Sequence, residues 1–340
     1  MPKVSVIVPN YNHARFLPQR LDSILAQTFK DYELIVLDDA SSDNSREVLE
    51  RYAKQTPIQL VFNETNTGSP FIQWCKGAEL ARGQYLWIAE SDDYADPRLL
   101  ETLVAQLQKN PRVGLAYCQS FSVDENNKVL GTWEYWTREV DAGRWKHDYI
   151  NSGRDEVARF LVQRNTIPNA SAVVVQRDIF LNAVQQSGTS RLAGDWWTWS
   201  RVLLQTDVAY LAEPMNFFRT HARSVRDTTK LPAACAEEFA VIAHICSRVS
   251  VPASIRRTVF HEAFYRWRRC FDLPGFVPER QWLRDIHASA RCVDQNAFFK
   301  MAWFLTKVKL KRIGLIVSVV GGTKRILHRP NKPSVKAPLP

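Results

Sequence analysis

Two kinds of apolar pattern alternate along the first 120 residues of the chain. Short β-branched runs, typical of buried strands, are followed by segments whose apolar residues recur at helical spacing. The predicted strands cover residues 4–9, 33–37, 58–62, 85–89 and 113–123, and the predicted helices cover residues 15–27, 43–52, 71–81 and 96–109. This alternation predicts an α/β fold with a mostly parallel sheet and helices on both of its faces.

The regular alternation ends after Val123. Residues 132–149 are rich in Trp and Tyr and have no clear period, which suggests a lid or an acceptor-facing loop. Shorter strands and helices follow until Leu231-Pro232, where we place a boundary, and residues 233–248, 254–269 and 279–290 then predict helices. We therefore predict an α/β domain over 1–230 with halves meeting near residue 123, a helical region over 231–328 and a disordered end over 329–340.

Two of the predicted strands end in clusters of acidic residues. The strand at 33–37 leads into Asp38-Asp39, and the strand at 85–89 leads into Glu90-Ser91-Asp92-Asp93. Ligands bind at the carboxyl ends of strands in α/β sheets, and clustered carboxylates repel each other unless a positive charge lies among them. A divalent cation whose shell is completed by phosphates is the simplest partner. The alternative is that each cluster belongs to a turn or a helix N-cap, where Asp is favoured anyway.

The positive charge of the chain is confined to its C-terminal part. The chain has 45 basic and 35 acidic residues, and residues 295–340 contain ten Lys or Arg and no Asp or Glu. Residues 1–294 are therefore formally neutral, which argues against nucleic-acid binding because a binding face would be basic. A basic segment that also carries Phe299 and Trp303 favours contact with an anionic membrane surface. A solvated basic tail is the alternative.

Targeting signals and cysteine spacing bear on the cellular compartment. The first residues lack the apolar core of a signal peptide, and no stretch has the roughly 20 apolar residues needed to span a bilayer. The six cysteines form no C-x-x-C pair and match no zinc pattern, which favours a reducing compartment. We predict a cytoplasmic protein and leave open its peripheral attachment to the inner face of the cytoplasmic membrane.

Four blocks of the chain, in order and at the expected spacing, resemble the family 2 glycosyltransferases, which have the GT-A fold. These blocks are residues 4–12, 27–43, 66–85 and 90–101. The strong likeness covers about residues 3–115, with a weaker likeness to about residue 226. The resemblance implies a GT-A domain over 1–230, with a nucleotide-sugar-binding half over 1–123 and an acceptor half over 124–230.

The resemblance assigns a donor-binding role to several residues. Pro9 and Tyr11 would line the nucleotide pocket, and Asp38 and Asp39 would accept hydrogen bonds from the base or the ribose. His221, in a segment that resembles the family's closing loop, would approach the diphosphate, although a lone histidine is more often structural.

The acidic block at 90–93 resembles the D-x-D block of the family. Asp92 falls at the position of the metal ligand, so that Mn²⁺ or Mg²⁺ would bridge the diphosphate and neutralise the leaving group. Glu90 stands where many members have Asp, and its longer side chain would act through water or contact the sugar. We count Asp93 with the donor-binding residues. Trp74 and Cys75 replace the family's usual Arg-Asn pair, so no nucleotide contact is transferred to them.

Asp195 falls where the family has its catalytic base. As that base, it would take the proton of an acceptor hydroxyl during in-line attack on the anomeric carbon, which implies inversion at that carbon. The alternative is that Asp195 only caps the helix that follows it.

The predicted function is that of an inverting, metal-dependent glycosyltransferase of the hexosyl-transferring type. Its donor would be a nucleotide-diphospho-sugar, with UDP- or dTDP-sugars expected, and its acceptor a glycan or lipid-linked hydroxyl in bacterial surface-polysaccharide synthesis. A nucleotidyltransferase is one alternative, but the loop at 9–13 lacks the glycines that would hold a triphosphate. A catalytically inactive nucleotide-sugar-binding module is another.

Overall fold

The computed structural model describes residues 1–186, 190, 192–220 and 231–312, with backbone alone for the last four. His221 and the segment from residue 313 onward lie outside these residues, so predictions about them stay predictions. Among the described residues, no helix combines the length and the apolar character needed to cross a membrane.

The described residues form one ten-stranded sheet in the order β3-β2-β1-β4-β9-β6-β10-β5, with β7 paired to β6 and β8 to β10. The strands are β1 (Val4–Asn10), β2 (Tyr32–Asp38), β3 (Ile58–Phe62), β4 (Tyr85–Ile88), β5 (Tyr94–Ala95), β6 (Val113–Val123), β7 (Val129–Thr132), β8 (Tyr149–Asn151), β9 (Val173–Gln176) and β10 (Asp207–Arg219). Strands β3, β2, β1 and β4 run parallel, β6 and β10 run parallel to each other, and β9 is antiparallel to both β4 and β6. The predicted α/β class with a mostly parallel sheet is confirmed.

The strand register brings the acidic strand ends to one edge of the sheet. Asn10 pairs with Asp38 at the end of β1 and β2, and Ile7 pairs with Ile88 at the end of β4. All seven residues of β1 are buried, as expected for a strand covered on both faces. The residues that follow β1, β2 and β4 therefore lie next to one another.

Eight α-helices flank the sheet before residue 220 in the described part of the chain. They are α1 (Leu17–Leu25), α2 (Ser45–Ala53), α3 (Pro70–Leu80), α4 (Leu99–Lys109), α5 (Glu134–Thr137), α6 (Gly153–Glu156), α7 (Arg177–Gln185) and α8 (Gly194–Leu203). The aromatic segment at 132–149 is partly core, because Trp133 and Trp145 are only 2% and 3% exposed. Its other residues include the surface helix α5.

Strand β10 is longer than its sequence predicts, because the apolar run at residues 208–211 ends before Pro214. The strand continues to Arg219, and its pairing with β6 shifts register on either side of Pro214. Proline lacks the N–H that a regular ladder needs, and such irregular positions are where a strand tolerates it. The longer strand carries Arg219 to the acidic turn that follows β4.

Within residues 231–312, the C-terminal region has four helices: α9 (Leu231–Arg248), α10 (Ala253–Cys270), α11 (Arg280–Val293) and α12 (Ala297–Arg312). Their core is aromatic, with Phe260 and Trp267 fully buried and Phe304 in contact with the Trp267 ring at 5.3 Å. The region also contacts the α/β domain, because Trp197 of α8 packs against His244 of α9 at 5.0 Å between ring centres.

Candidate active site

The turn at 90–93 directly follows β4 and is held from three sides. Nε of Arg20 donates to the Glu90 carbonyl at 2.8 Å, and the indole N–H of Trp74 donates to Oε1 of Glu90 at 2.8 Å. The Glu90 backbone N–H donates to Oγ of Ser171 at 3.1 Å. Both the backbone and the carboxylate of Glu90 are thus fixed by the protein.

Arg219 holds the second half of this turn. Its backbone N–H donates to Oδ1 of Asp93 at 2.9 Å, and its Nε donates to the Asp92 carbonyl at 2.7 Å. The two terminal nitrogens donate to the Asp124 carbonyl and to Oε1 of Gln19. Arg219 is 2% exposed, so this guanidinium positions the backbone of the turn from inside the protein.

The turn brings three carboxyl groups together beside two arginines. Burial, together with the neighbouring Asp92 carboxylate, raises the pKa of Glu90 to about 8. Burial and Asp92 likewise raise the pKa of Asp93. Burial also lowers the pKa of Arg20 to about 10, although the three carboxylates oppose this. Such a cluster favours a further positive charge among its members.

The acidic turn fits a cation only together with ligands from outside the protein. Within the described residues, Oδ2 of Asp93 is buried and accepts no hydrogen bond. No group of three His, Cys, Asp or Glu that could hold a metal ion occurs in this part of the chain. Mg²⁺ that is bound to a nucleotide is usually coordinated by one or two carboxylates together with phosphate oxygens and water molecules. Asp92, with Asp93 beside it, matches that donor set.

The predicted nucleotide residues follow β1 and β2. Oδ2 of Asp38 accepts a hydrogen bond from Nδ2 of Asn10 at 2.7 Å, and its Oδ1 accepts one from the Ser41 N–H at 2.9 Å. Pro9 is buried within β1, whereas Tyr11 is 47% exposed just beyond it. Tyr11 therefore offers an open aromatic surface at the sheet edge. Asp38 links the end of β1 to the loop that follows β2.

Asp39 is more extensively bonded to the protein than the other acidic residues of this edge. Its Oδ1 accepts from Asn63, Gln73 and the Thr67 N–H, and its Oδ2 accepts from the Thr67 N–H and hydroxyl. A carboxylate has about four lone-pair sites. A base or ribose donor would therefore have to replace one of these protein donors.

Asp195 lies in the first turn of α8 rather than at its N-cap, which is Ala193. Its Oδ2 accepts from Nδ2 of Asn165 at 2.8 Å, and its Oδ1 accepts from the Trp196 N–H at 2.7 Å. The close approach of α8 to α3 requires glycine at position 194, since a Cβ there would lie 2.4 Å from the Phe71 ring. The carboxylate is half-buried.

One short segment links Asp195 to the acidic turn. Asn165, at its start, bonds the Asp195 carboxylate, and Ser171, at its end, bonds the Glu90 N–H. A second link runs through α3, where Phe71 contacts Gly194 and Trp74 bonds Glu90. The predicted base and the predicted metal site thus share two sets of supporting contacts.

Comparison with known proteins gives the family of this site. The model of "Glycosyl transferase family 2" matches residues 5–176, which include the ends of β1, β2 and β4. The chain belongs to glycosyltransferase family 2. The match ends before Asp195, so the role of that residue as base stays a prediction.

Two glycosyltransferases are similar to part of the chain. An uncharacterized glycosyltransferase of Nostoc sp. is 35% identical over 130 residues, which is 38% of this chain and 39% of that protein. TarS of Staphylococcus aureus, a poly(ribitol-phosphate) beta-N-acetylglucosaminyltransferase, is 30% identical over 112 residues, 32% of this chain and 20% of its own length. The matched segments thus span well under half of these relatives.

Two solved structures show the fold of this family 2 chain over nearly its whole length. Residues 1–349 of S. aureus TarS superpose with a TM-score of 0.65 at 16% identity, covering 92% of each chain. A mannosyltransferase of Pyrobaculum calidifontis, solved with GDP-mannose and Mn²⁺, gives a TM-score of 0.52 at 18% identity, covering 93% of this chain and 88% of its own. These likenesses confirm the predicted GT-A fold with C-terminal helices.

The resemblance to family 2 does not identify several residues that support the acidic turn. Trp74 stands at a position where the expected pair is absent, yet its indole N–H bonds the Glu90 carboxylate. Arg20 and Arg219 bond the backbone of the acidic turn from positions far away in the sequence. Only Arg20 has a recognisable feature in the sequence, because it stands among the apolar positions of helix α1, where a charged residue is unusual.

Proposed function

We propose that the protein is an inverting, metal-dependent glycosyltransferase that moves a sugar from a nucleotide-diphospho-sugar to a hydroxyl group. The observation that carries this proposal is the shared support of Asp195 and the acidic turn through Asn165 and Ser171. The family membership supports glycosyl transfer as the reaction. The Mn²⁺ bound to the P. calidifontis neighbour supports the use of a divalent metal.

Each residue has a distinct role in the proposed reaction. Asp92, with Asp93 beside it, holds Mn²⁺ or Mg²⁺, which when bound supplies positive charge to the leaving diphosphate. Asp195 accepts the proton of the acceptor hydroxyl while the acceptor oxygen bonds the anomeric carbon. The bond from that carbon to the diphosphate oxygen breaks on the opposite side, and the configuration is therefore inverted. Glu90 contacts the sugar or a water molecule.

The donor proposal is a uridine- or thymidine-diphosphate sugar held at the edge of β1 and β2. The TarS structure in complex with UDP-GlcNAc supports this class of donor. Tyr11 would pack on the nucleotide, Pro9, Asp38 and Asp39 would shape its pocket, and His221 would approach the diphosphate. The proposed acceptor is a glycan or lipid-linked hydroxyl of a bacterial surface polysaccharide, made on the cytoplasmic side of the membrane.

A thermal-shift screen tests the proposed donor and metal together. Nucleoside diphosphates and nucleotide-sugars are added with and without Mn²⁺, since a ligand that binds only the folded state raises the melting temperature. Release of nucleoside diphosphate from the best donor is then measured. A nucleotidyltransferase would instead release pyrophosphate from a triphosphate, and an inactive binding module would bind the donor without releasing diphosphate.

We also propose that one face of α12 contacts an anionic membrane surface. Phe299 and Trp303, one helical turn apart, are 71% and 63% exposed, and Nζ of Lys307 lies 3.6 Å from the centre of the Trp303 ring. Two other residues of this helix have partners within the protein. Phe304 packs in the aromatic core, and Lys300 bonds Asp294 at 2.6 Å.

Replacing Phe299 and Trp303 together should weaken vesicle binding. We expect Phe299→Ser with Trp303→Ser to lower the salt-insensitive part of binding to anionic vesicles, because apolar side chains are insensitive to ionic screening. Deletion of residues 313–340 should lower the salt-sensitive part, at about 1 kcal/mol for each basic residue engaged. Co-sedimentation with anionic vesicles at increasing salt concentrations separates the salt-insensitive part of the binding from the salt-sensitive part.

The control for vesicle binding is Tyr265→Ser, which removes another exposed aromatic residue, 59% exposed on α10. Cutting the chain before residue 295 is a poorer test, because it also removes Met301, which is 1% exposed. Equal sedimentation of the double variant, the deletion and the unaltered protein would show that this segment is only solvated.

A further inference from the structure

We infer that Glu237, on helix α9 of the C-terminal region, is a positioning residue for Asp195. The inference rests on the proposed function only in taking Asp195 as the general base. It assigns the C-terminal helices a part in the reaction, although they lie outside the segment that matches the family model.

One oxygen of Glu237 collects three hydrogen bonds from the segment that leads into α8. Oε2 accepts from the Ser190 hydroxyl, from the Leu192 N–H at 2.9 Å and from the Ala193 N–H at 2.7 Å. The place where the chain enters α8, two residues before Asp195, is therefore set by a side chain of α9.

The start of α8 has no capping side chain of its own. Its N-cap is Ala193, whose methyl group cannot accept a hydrogen bond, whereas Ser, Thr, Asp or Asn usually fills this position. The Ala193 carbonyl accepts the first helical bond from the Trp197 N–H at 2.9 Å, while its N–H is bound by Glu237. Glu237 therefore fixes the N-cap residue from another helix.

The neighbouring contacts convert a shift of this segment into a shift of Asp195. On one side Gly194 meets the Phe71 ring with no space for a Cβ, and on the other Trp197 packs on His244. If the segment moves, Asp195 moves relative to Asn165, whose Nδ2 lies 2.8 Å from Oδ2. Misplacement of a catalytic group by about 1 Å can cost about 100-fold in rate.

Two conservative substitutions separate positioning from charge. Glu237→Asp keeps the charge but withdraws the carboxylate by about one carbon–carbon bond, roughly 1.5 Å. Glu237→Gln keeps the length and one acceptor oxygen but removes the charge. We expect kcat for diphosphate release to fall about 10- to 100-fold in Glu237→Asp and by less than about 3-fold in Glu237→Gln. A role through charge alone predicts the opposite order.

The neighbouring residue supplies a matched control. Glu238 lies on the same helix, and its carboxylate bonds Nε of Arg266 at 2.7 Å within the C-terminal region. Glu238→Asp makes the same change of length and should leave kcat unaltered. In all three variants the affinity for UDP with Mn²⁺, measured by calorimetry, should stay unchanged, because Ser190, Leu192 and Ala193, which bond Glu237, are not part of the acidic turn.

A double variant and amide exchange complete the test. Adding Glu237→Asp to Asp195→Asn should lower kcat little further, since residues that act through one group are not additive. The rate of amide hydrogen exchange in the peptide 192–197 should rise in Glu237→Asp and not in Glu237→Gln. Unchanged exchange and kcat in Glu237→Asp would overturn this inference alone. An Asp195→Asn variant with full turnover would instead overturn the proposed base.

Discussion

Replacing Asp195 by Asn should lower turnover about 10²- to 10⁴-fold, the usual scale for loss of a general base. The variant should keep its affinity for nucleoside diphosphate within a few-fold. The amide oxygen can keep one of the two hydrogen bonds that the carboxylate accepts, from Asn165 at 2.8 Å or from the Trp196 N–H at 2.7 Å, whereas the NH2 group cannot accept the other. The variant loses this contact and the capacity to take a proton, so kcat falls, while the donor-binding residues at the ends of β1, β2 and β4 are unaltered and binding of the donor persists.

A second first-turn aspartate controls for effects on helix stability. Asp178 occupies the first turn of α7 as Asp195 does that of α8, and its side chain is 83% exposed beside Arg177. Asp178→Asn should cost at most about 1 kcal/mol of stability through the helix dipole and leave turnover unchanged. Calorimetric binding of UDP and steady-state release of diphosphate give the two quantities. Equal turnover in both variants would mean that Asp195 only stabilises the helix.

The edge of the sheet that carries the site was predictable because its signals are local. An apolar run followed by acidic residues, as at Asp38 and Asp92, indicates both where a strand ends and that negative charge gathers at its end. Strand β3 and strand β6 were found with the predicted bounds. Helix ends moved by a few residues. In α3, for example, Pro70 begins the helix, whereas the sequence pattern placed its start at residue 71.

The contacts that support the site were not predictable, because they join distant parts of the chain. Arg219 bonds Gln19, 200 residues away in the sequence, and the Asp92 carbonyl, 127 residues away. Glu237 bonds a segment more than 40 residues before it. Glu237 has no local pattern that distinguishes it from an ordinary surface charge, and the likeness of the segment around Arg219 to the family's closing loop does not predict its contact with the acidic turn. Burial and hydrogen-bond geometry, which only the fold supplies, assign their roles.

Replacing Asp92 by Asn should remove metal-dependent binding of nucleoside diphosphate while leaving the fold intact. Asp92 is the position at which the resemblance places the metal ligand, and its charge raises the pKa of both Glu90 and Asp93. Without that charge the pKa values of both neighbours should fall toward their usual range. The repulsion within the turn should then decrease, and we expect the melting temperature in EDTA to be equal to or higher than that of the unaltered protein.

The effect on activity should be opposite in direction to the effect on stability. Charge stabilisation by a metal is worth several kcal/mol in the transition state, and about 1.4 kcal/mol corresponds to tenfold in rate. Turnover should therefore fall at least about 100-fold. Asp96→Asn serves as the control, since Asp96 lies four residues further along and its carboxylate bonds Arg98. In calorimetric titrations, UDP should bind the Asp96→Asn variant more tightly in Mn²⁺ than in EDTA. It should bind the Asp92→Asn variant equally weakly under both conditions. If the unaltered protein binds UDP equally well in Mn²⁺ and in EDTA, the acidic turn recognises the donor without a metal.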